Sequence, residues 1–157
     1  MTDARCVSRR LLVIDDDASY RGSVGWLLRK LGHTVAEAES GSSGLALLRQ
    51  QPVDLVMTDL VMPGLTGWDV ARLVKAVHPR LPVVLVTGSA ETIPPDQPER
   101  TWVDAILAKP CGLEEIQAVI LPLTRDRADA VGSHGPARGG LATVRGWQTS
   151  TTGPGTL

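Results

Sequence analysis

The 157-residue chain has no phenylalanine and a single tyrosine, and aromatic residues make up only 3% of it. Its core must therefore be aliphatic, with Trp26, Trp68 and Trp102 as the bulky members. Cysteine is almost as scarce. Cys6 and Cys111 make neither a disulfide framework nor a zinc site, which fits a reduced, cytoplasmic setting. Charge of one sign is missing too: 16 lysines and arginines face 17 aspartates and glutamates, a net charge of -1. That excludes a surface held to nucleic acid by bulk basic charge. No apolar run approaches the ~20 residues of a membrane span. The polar stretch 1–10 carries three arginines without an apolar core after them, so it does not read as a signal peptide.

The chain that remains is 43% hydrophobic, ordinary for a globular domain, and its composition shifts near residue 125. Residues 8–124 read as one domain and 125–157 as a C-terminal extension. From about 132 the extension holds seven of the 16 glycines and no helical or strand period. Such a segment buries too little apolar surface to offset its ordering entropy, so it is expected to be a flexible tail.

Within the domain, short apolar runs at 11–14, 34–36, 53–57, 83–86 and 105–108 read as buried parallel strands. Helical patterns separate them. Val24, Leu27, Leu28 and Leu31 repeat on one helix face, with Gly32 as its stop. Ser40 caps a shorter helix carrying Leu45 and Leu48. Val70, Leu73, Val74 and Val77 stripe another, with Pro79 just beyond, and Leu113, Ile116 and Ile120 stripe the last. This β-α order, five times over, predicts an α/β layer fold with right-handed crossovers. The fourth unit departs from the pattern. Pro94, Pro95 and Pro98 crowd its helix, and only Pro98 suits a first helical position, so that helix is expected to be short or irregular.

In open parallel sheets, ligands bind beyond the carboxyl ends of the strands. Asp15, Asp16 and Asp17 follow the first strand, Asp59 the third, Thr87 the fourth and Lys109 the fifth. Carboxylates converging from two strands repel one another unless a cation intervenes. An all-oxygen ligand set suits a hard divalent ion, Mg²⁺ or Mn²⁺, which commonly completes its shell with phosphate oxygen. A lysine and a hydroxyl are what the remaining phosphate oxygens need. The set reads as a phosphoryl-binding site centred on an aspartate.

The motifs VIDD at 13–16, TDLVMPGLTGWD at 58–69, VTGSA at 86–90 and KP at 109–110 resemble the receiver domain of two-component response regulators. The resemblance spans about residues 10–122. It implies a flavodoxin-like, five-stranded parallel sheet of order 2-1-3-4-5 flanked by helices. It also implies a role for each position. Asp59 would be the phosphoacceptor, taking its phosphoryl group from a histidine kinase or a histidine phosphotransfer protein. Asp16 would bind Mg²⁺ directly, Asp15 mostly through water, and the backbone carbonyl of Val61 would add a further metal ligand. Lys109 and Thr87 would contact the phosphoryl oxygens, and Lys109–Pro110 would be a cis peptide. Met62, Pro63 and Gly64 would shape the loop beside the acceptor.

Other polar residues have simpler readings. Asp17 reads as a helix cap or solvent-facing, and Asp54 and Asp69 as surface groups, Asp69 also suiting a first helical turn. His33, His78 and His134 read as surface residues, and Cys6 and Cys111 as inert thiols. Trp147 has no core to join. Two departures from the family pattern concern signal relay. Ile106 stands where many receivers carry an aromatic ring, and the fourth helix is broken by prolines, as in receivers of hybrid histidine kinases. The expected protein is a stand-alone receiver acting through an unknown downstream protein, without nucleic acid or membrane. Two rivals are a small Mg²⁺-dependent phosphohydrolase with an aspartyl-phosphate intermediate and a non-phosphorylated binding module. The first lacks the second aspartate such enzymes place two residues after the nucleophile, where Val61 stands here.

Overall fold

The computed structural model describes residues 7–133. Five strands, β1 (Arg10–Ile14), β2 (Thr34–Ala38), β3 (Leu55–Asp59), β4 (Val83–Thr87) and β5 (Ala105–Ala108), form one sheet in the order β2-β1-β3-β4-β5. Every neighbouring pair is parallel, as the resemblance implied. The helices are α1 (Ala18–Lys30), α2 (Gly41–Gln50), α3 (Gly67–Val77) and α4 (Leu113–Ser133).

Side chains of a strand alternate between faces, and here each face meets a helical layer. Leu11, Val13, Leu55, Met57, Val84 and Val86 pack against Val24 and Leu28 of α1 and Ile116 and Ile120 of α4. Leu12, Ile14, Val56 and Val83 pack against Leu48 of α2 and Val70, Ala71 and Val74 of α3. With both faces covered, β3 and β4 are buried along their whole length. Each buried aliphatic side chain contributes about 1.5–3 kcal/mol, so the core is sufficient without phenylalanine.

The helix ends follow from local chemistry. Asp17 caps α1, its carboxylate accepting from the N–H groups of Ser19 and Tyr20. At the other end Gly32 turns left-handed at φ 89°, its N–H donating to Arg29 and that of His33 to Leu28. This paired closure needs a residue without Cβ at the turn. Ser40 caps α2 together with Ser43, and Thr66 caps α3 together with Asp69, each as a reciprocal box. Between β4 and β5 there is no α-helix. Two 3-10 turns, Ala90–Thr92 and Pro98–Trp102, take its place, the second opening on Pro98. The Arg100 guanidinium donates to the carbonyls of Ile93 and Pro94 and holds the two turns together.

Several details differ from the sequence reading. The third strand begins at Leu55 and runs through the polar Thr58 and Asp59. Its entry is fastened by Asp54, which accepts from the Arg10 N–H at 2.8 Å and pairs with the Arg10 guanidinium, so Asp54 is more than a solvated surface group. The second strand extends to Ala38, which pairs with Ile14 of β1, and Glu37 pairs with Arg21 and Arg29 across the α1 surface. Arg29 also donates to the carbonyl of Val35. Trp26 is not a core residue: it is 58% exposed and lies under the Lys30 ammonium. Trp102 does pack on the core. His33 and His78 are buried, because each is folded inward as the chain leaves a helix. Cys6, His134, Trp147 and the extension from 134 lie outside the described residues. Among the described residues no helix is long and apolar enough to cross a membrane.

His33 carries a pH consequence. Its Nδ1 accepts the backbone N–H of Arg9 at 3.2 Å. Burial, with the nearby charge of Arg9, holds its pKa below the ordinary histidine value. The native state thus resists a proton that the unfolded chain accepts near its usual pKa of about 6.5. The stability this neutral histidine confers is complete above that pH and is lost as pH falls toward the native pKa. The drop in melting temperature between pH 7.5 and 5.5 should be smaller in His33→Gln than in the parent. Equal drops would show that His33 does not titrate with unfolding.

Candidate functional site

The carboxyl ends of β1, β3, β4 and β5 form one rim. Asp15 follows β1, and its N–H bonds to the Ala38 carbonyl at 3.1 Å, which sets it beside the end of β2. Asp59 ends β3, and Thr87 ends β4. Lys109 follows β5, its N–H donating to the Thr87 carbonyl at 2.9 Å, and the Lys109–Pro110 peptide is cis. These placements bring oxygens of Asp15, Asp16 and Asp59 within 4.8 Å of one another. The Lys109 ammonium sits 2.6 Å from Asp15 and 3.4 Å from Asp59.

Asp15 is almost sealed at 2% exposure and is held on several sides. It accepts from the Asp17 N–H at 2.9 Å, and its backbone carbonyl accepts from the Arg21 guanidinium at 2.7 Å. Asp59 is also buried; its Oδ1 accepts from the Leu60 N–H at 2.8 Å. Asp16, by contrast, is exposed. Thr87 is buried, and its hydroxyl accepts from the Ser89 N–H at 3.2 Å. Among the described residues no hydrogen bond joins that hydroxyl to the carboxylates. Val61 lies two residues beyond Asp59, with its side chain 69% exposed.

The electrostatics follow from burial and sign. Burial raises the pKa of Asp59, Lys109 counters it, and the charge of Asp15 adds to the rise. Burial alone would lower Lys109, but the hydrogen bond and charge of Asp15, with the charge of Asp59, raise it overall. Three carboxylates therefore face one fixed ammonium. The uncompensated negative charge, offered by oxygen ligands alone, fits a hard divalent cation.

One residue of the site went unremarked in the sequence. Tyr20, in the first turn of α1, places its ring 4.3 Å from the Lys109 ammonium, and its hydroxyl lies 3.2 Å from the Cys111 sulfur. Together with Asp15, Met57, Thr58 and Asp59 it lines a small recess behind the acidic group. Burial and the bond with Cys111 push its pKa up, so the phenol stays neutral. The available signal was the spacing from Asp17: a residue three past a helix cap, on the first turn, faces the same rim as the cap.

Gly67 sets the distance between α3 and the end of β3. Its N–H donates to the Leu60 carbonyl at 2.9 Å. A Cβ there would collide with the Asp59 carbonyl oxygen and stand 2.9 Å from the Leu60 Cα. Both obstacles are backbone and cannot swing aside. Gly67→Ala should cost about 1–3 kcal/mol despite its better helix propensity, measured by urea unfolding. Unchanged stability would mean that α3 can shift without strain.

A family model described as response regulator receiver domain matches residues 11–121. Protein PilH of Pseudomonas aeruginosa is 35% identical over 113 residues, covering 71% of this chain and 93% of PilH. The transcriptional regulatory protein AfsQ1 of Streptomyces coelicolor is 32% identical, covering 90% of this chain; the chain spans 62% of AfsQ1. Among solved structures, the response regulator protein TrrA of Thermotoga maritima, in complex with Mg²⁺-BeF, superposes with a TM-score of 0.68. It is 24% identical, covering 73% of this chain and 98% of TrrA.

Proposed function

This chain belongs to the response regulator receiver domain family, and on that premise we propose that it acts as a receiver phosphorylated on Asp59. Phosphorylation would switch it between conformations that protein partners in a two-component pathway distinguish. The observation that carries this reading is the Lys109 ammonium shared by Asp15 and Asp59 within the acidic rim. The donor is a histidine kinase or a histidine phosphotransfer protein, the downstream partner is a protein, and a cytoplasmic location belongs to the same reading.

Asp59 Oδ1 is engaged by the Leu60 N–H and lies nearest Lys109. One carboxylate oxygen of Asp59 attacks the phosphorus. It forms the new bond to phosphorus as the phosphorus–nitrogen bond of the donor breaks, and the imidazole nitrogen keeps that electron pair and takes up a proton. Lys109 turns from the carboxylates to the arriving phosphoryl oxygens, a change of hydrogen-bond partner within one site. Thr87 supplies its hydroxyl proton to a phosphoryl oxygen when its loop closes, since the Ser89 N–H occupies only a lone pair of that oxygen. Asp16, Asp59 and the Val61 carbonyl would hold Mg²⁺, with Asp15 acting mostly through water. When bound, the ion supplies charge for the phosphoryl oxygens. The TrrA complex supports Mg²⁺; Mn²⁺ has no comparable support. The protein does not turn over substrate as an enzyme does, although the same groups would assist loss of its own phosphoryl group. No comparison favours a phosphohydrolase, and the intact acid–lysine set speaks against a non-phosphorylated module.

With an acyl phosphate and Mg²⁺, intact mass should rise by one phosphoryl group in the parent and not in Asp59→Asn. A full gain in the variant would place the acceptor elsewhere.

Asp16→Ala removes a direct carboxylate ligand while leaving the buried Asp15–Lys109 pair. Its Mg²⁺ affinity, by calorimetry, should fall by at least about tenfold, the loss that even an outer-sphere partner produces. Parent-like affinity would remove Asp16 from the ligand set.

A further inference from the structure

We propose that Tyr20 is a positioning residue for Lys109, its ring holding the ammonium at the rim while leaving the lysine's N–H groups free to change partners. The inference rests on the reading of Lys109 as a phosphoryl contact and deepens it. A lysine has a flexible stem and a point charge with three rotatable donors. In the structure its ammonium is drawn to Asp15 at 2.6 Å and Asp59 at 3.4 Å. To serve an arriving phosphoryl group it must release a carboxylate without leaving the rim. An aromatic face attracts a cation without accepting any particular N–H, so it restrains position and permits rotation. The Tyr20 ring lies 4.3 Å from Nζ and meets this need.

The ring is itself fixed at both ends. The Tyr20 N–H is capped by Asp17 at 3.1 Å, which ties the residue to the first turn of α1. Its hydroxyl reaches Cys111 at 3.2 Å, two residues past Lys109 on the turn that carries the lysine. The contact therefore bridges the two chain segments that must stay in register for Lys109 to face Asp59. The chain has no phenylalanine, and this is its one tyrosine. A leucine or methionine would fill the same recess but would offer no negative ring face.

The test uses the full chain and the variants Tyr20→Met, which keeps bulk, and Tyr20→Phe, which keeps the ring. By NMR, the Lys109 ε-methylene protons, identified by their loss in Lys109→Ala, should be shifted upfield by the ring in the parent and in Tyr20→Phe. They should return to the ordinary lysine position in Tyr20→Met. With saturating acetyl phosphate and Mg²⁺, the phosphorylation rate should fall about fivefold in Tyr20→Met and stay within about twofold in Tyr20→Phe, as a partly desolvated cation–π contact implies. Mg²⁺ affinity should not change, and Tyr20→Met should cost nothing further in a Lys109→Ala background. Ordinary Lys109 shifts in the parent would overturn the proposal. So would an equal loss with and without Lys109, or a loss that tracks Mg²⁺ affinity. Absence of phosphorylation in the parent would defeat the functional reading instead, and the NMR arm would still decide whether the ring holds the lysine.

Discussion

Everything at the rim depends on how a buried carboxylate is partnered. Asp15 is sealed from water, and its charge is tolerable because Lys109 stands against it and a backbone N–H points at it. That pairing draws the turn after β5 toward the turn after β1, across the intervening β3 and β4, and so encloses Asp59 between them. The rest of the sheet can be read as a means of delivering these two turns to the same place. Breaking such a pair from one side leaves an unpaired charge, which typically costs several kcal/mol. The reactive aspartate thus sits in a frame whose stability and chemistry share one ion pair.

Much of this was legible in the sequence because it depends on local, directional chemistry. A polar residue at the end of an apolar strand can only lie at the rim, and four such residues announced the site before any geometry was known. Gly32 and Pro98 marked a turn and a helix start for equally local reasons. The misreadings have a common origin in tertiary contact. Polarity predicts exposure for His33 and His78 and size predicts burial for Trp26, yet tertiary packing buries the two histidines and leaves the tryptophan exposed. The apolar run at 53–57 predicts a strand over those residues. The strand lies two residues further on, because the Asp54 side chain is spent on Arg10 and the ladder continues through polar residues. Tyr20 offers one local cue, its place three past the Asp17 cap, but its contact needs a partner 89 positions away in the chain.

The relay side of the molecule is built unlike its phosphate side. Ile106 lies half-buried in β5, where it can pack but cannot swing a ring. The segment before it has little regular structure and is held instead by particular side chains. Arg100 gathers two carbonyls, and Asp104 joins the Lys75 ammonium and the Val83 N–H, each at 2.8 Å. Such a segment depends on individual polar contacts rather than on the cooperative backbone bonds of a helix.

The Arg29 contact with Val35 has a meaning for the molecule's behaviour among its own copies. In β2 the N–H of Thr34 and the carbonyl of Ala38 are directed to β1, so Val35, one position out of phase, turns its carbonyl to the open margin of the sheet. Unsatisfied groups along such a margin invite a strand from another chain. Arg29 occupies that carbonyl at 3.2 Å while its charge is held by Glu37 at 2.9 Å on the same strand. A foreign strand docking there would have to displace a guanidinium and break an ion pair to gain the hydrogen bond to Val35. The residue that closes the end of α1 thereby also guards the protein against open-ended association through its own sheet.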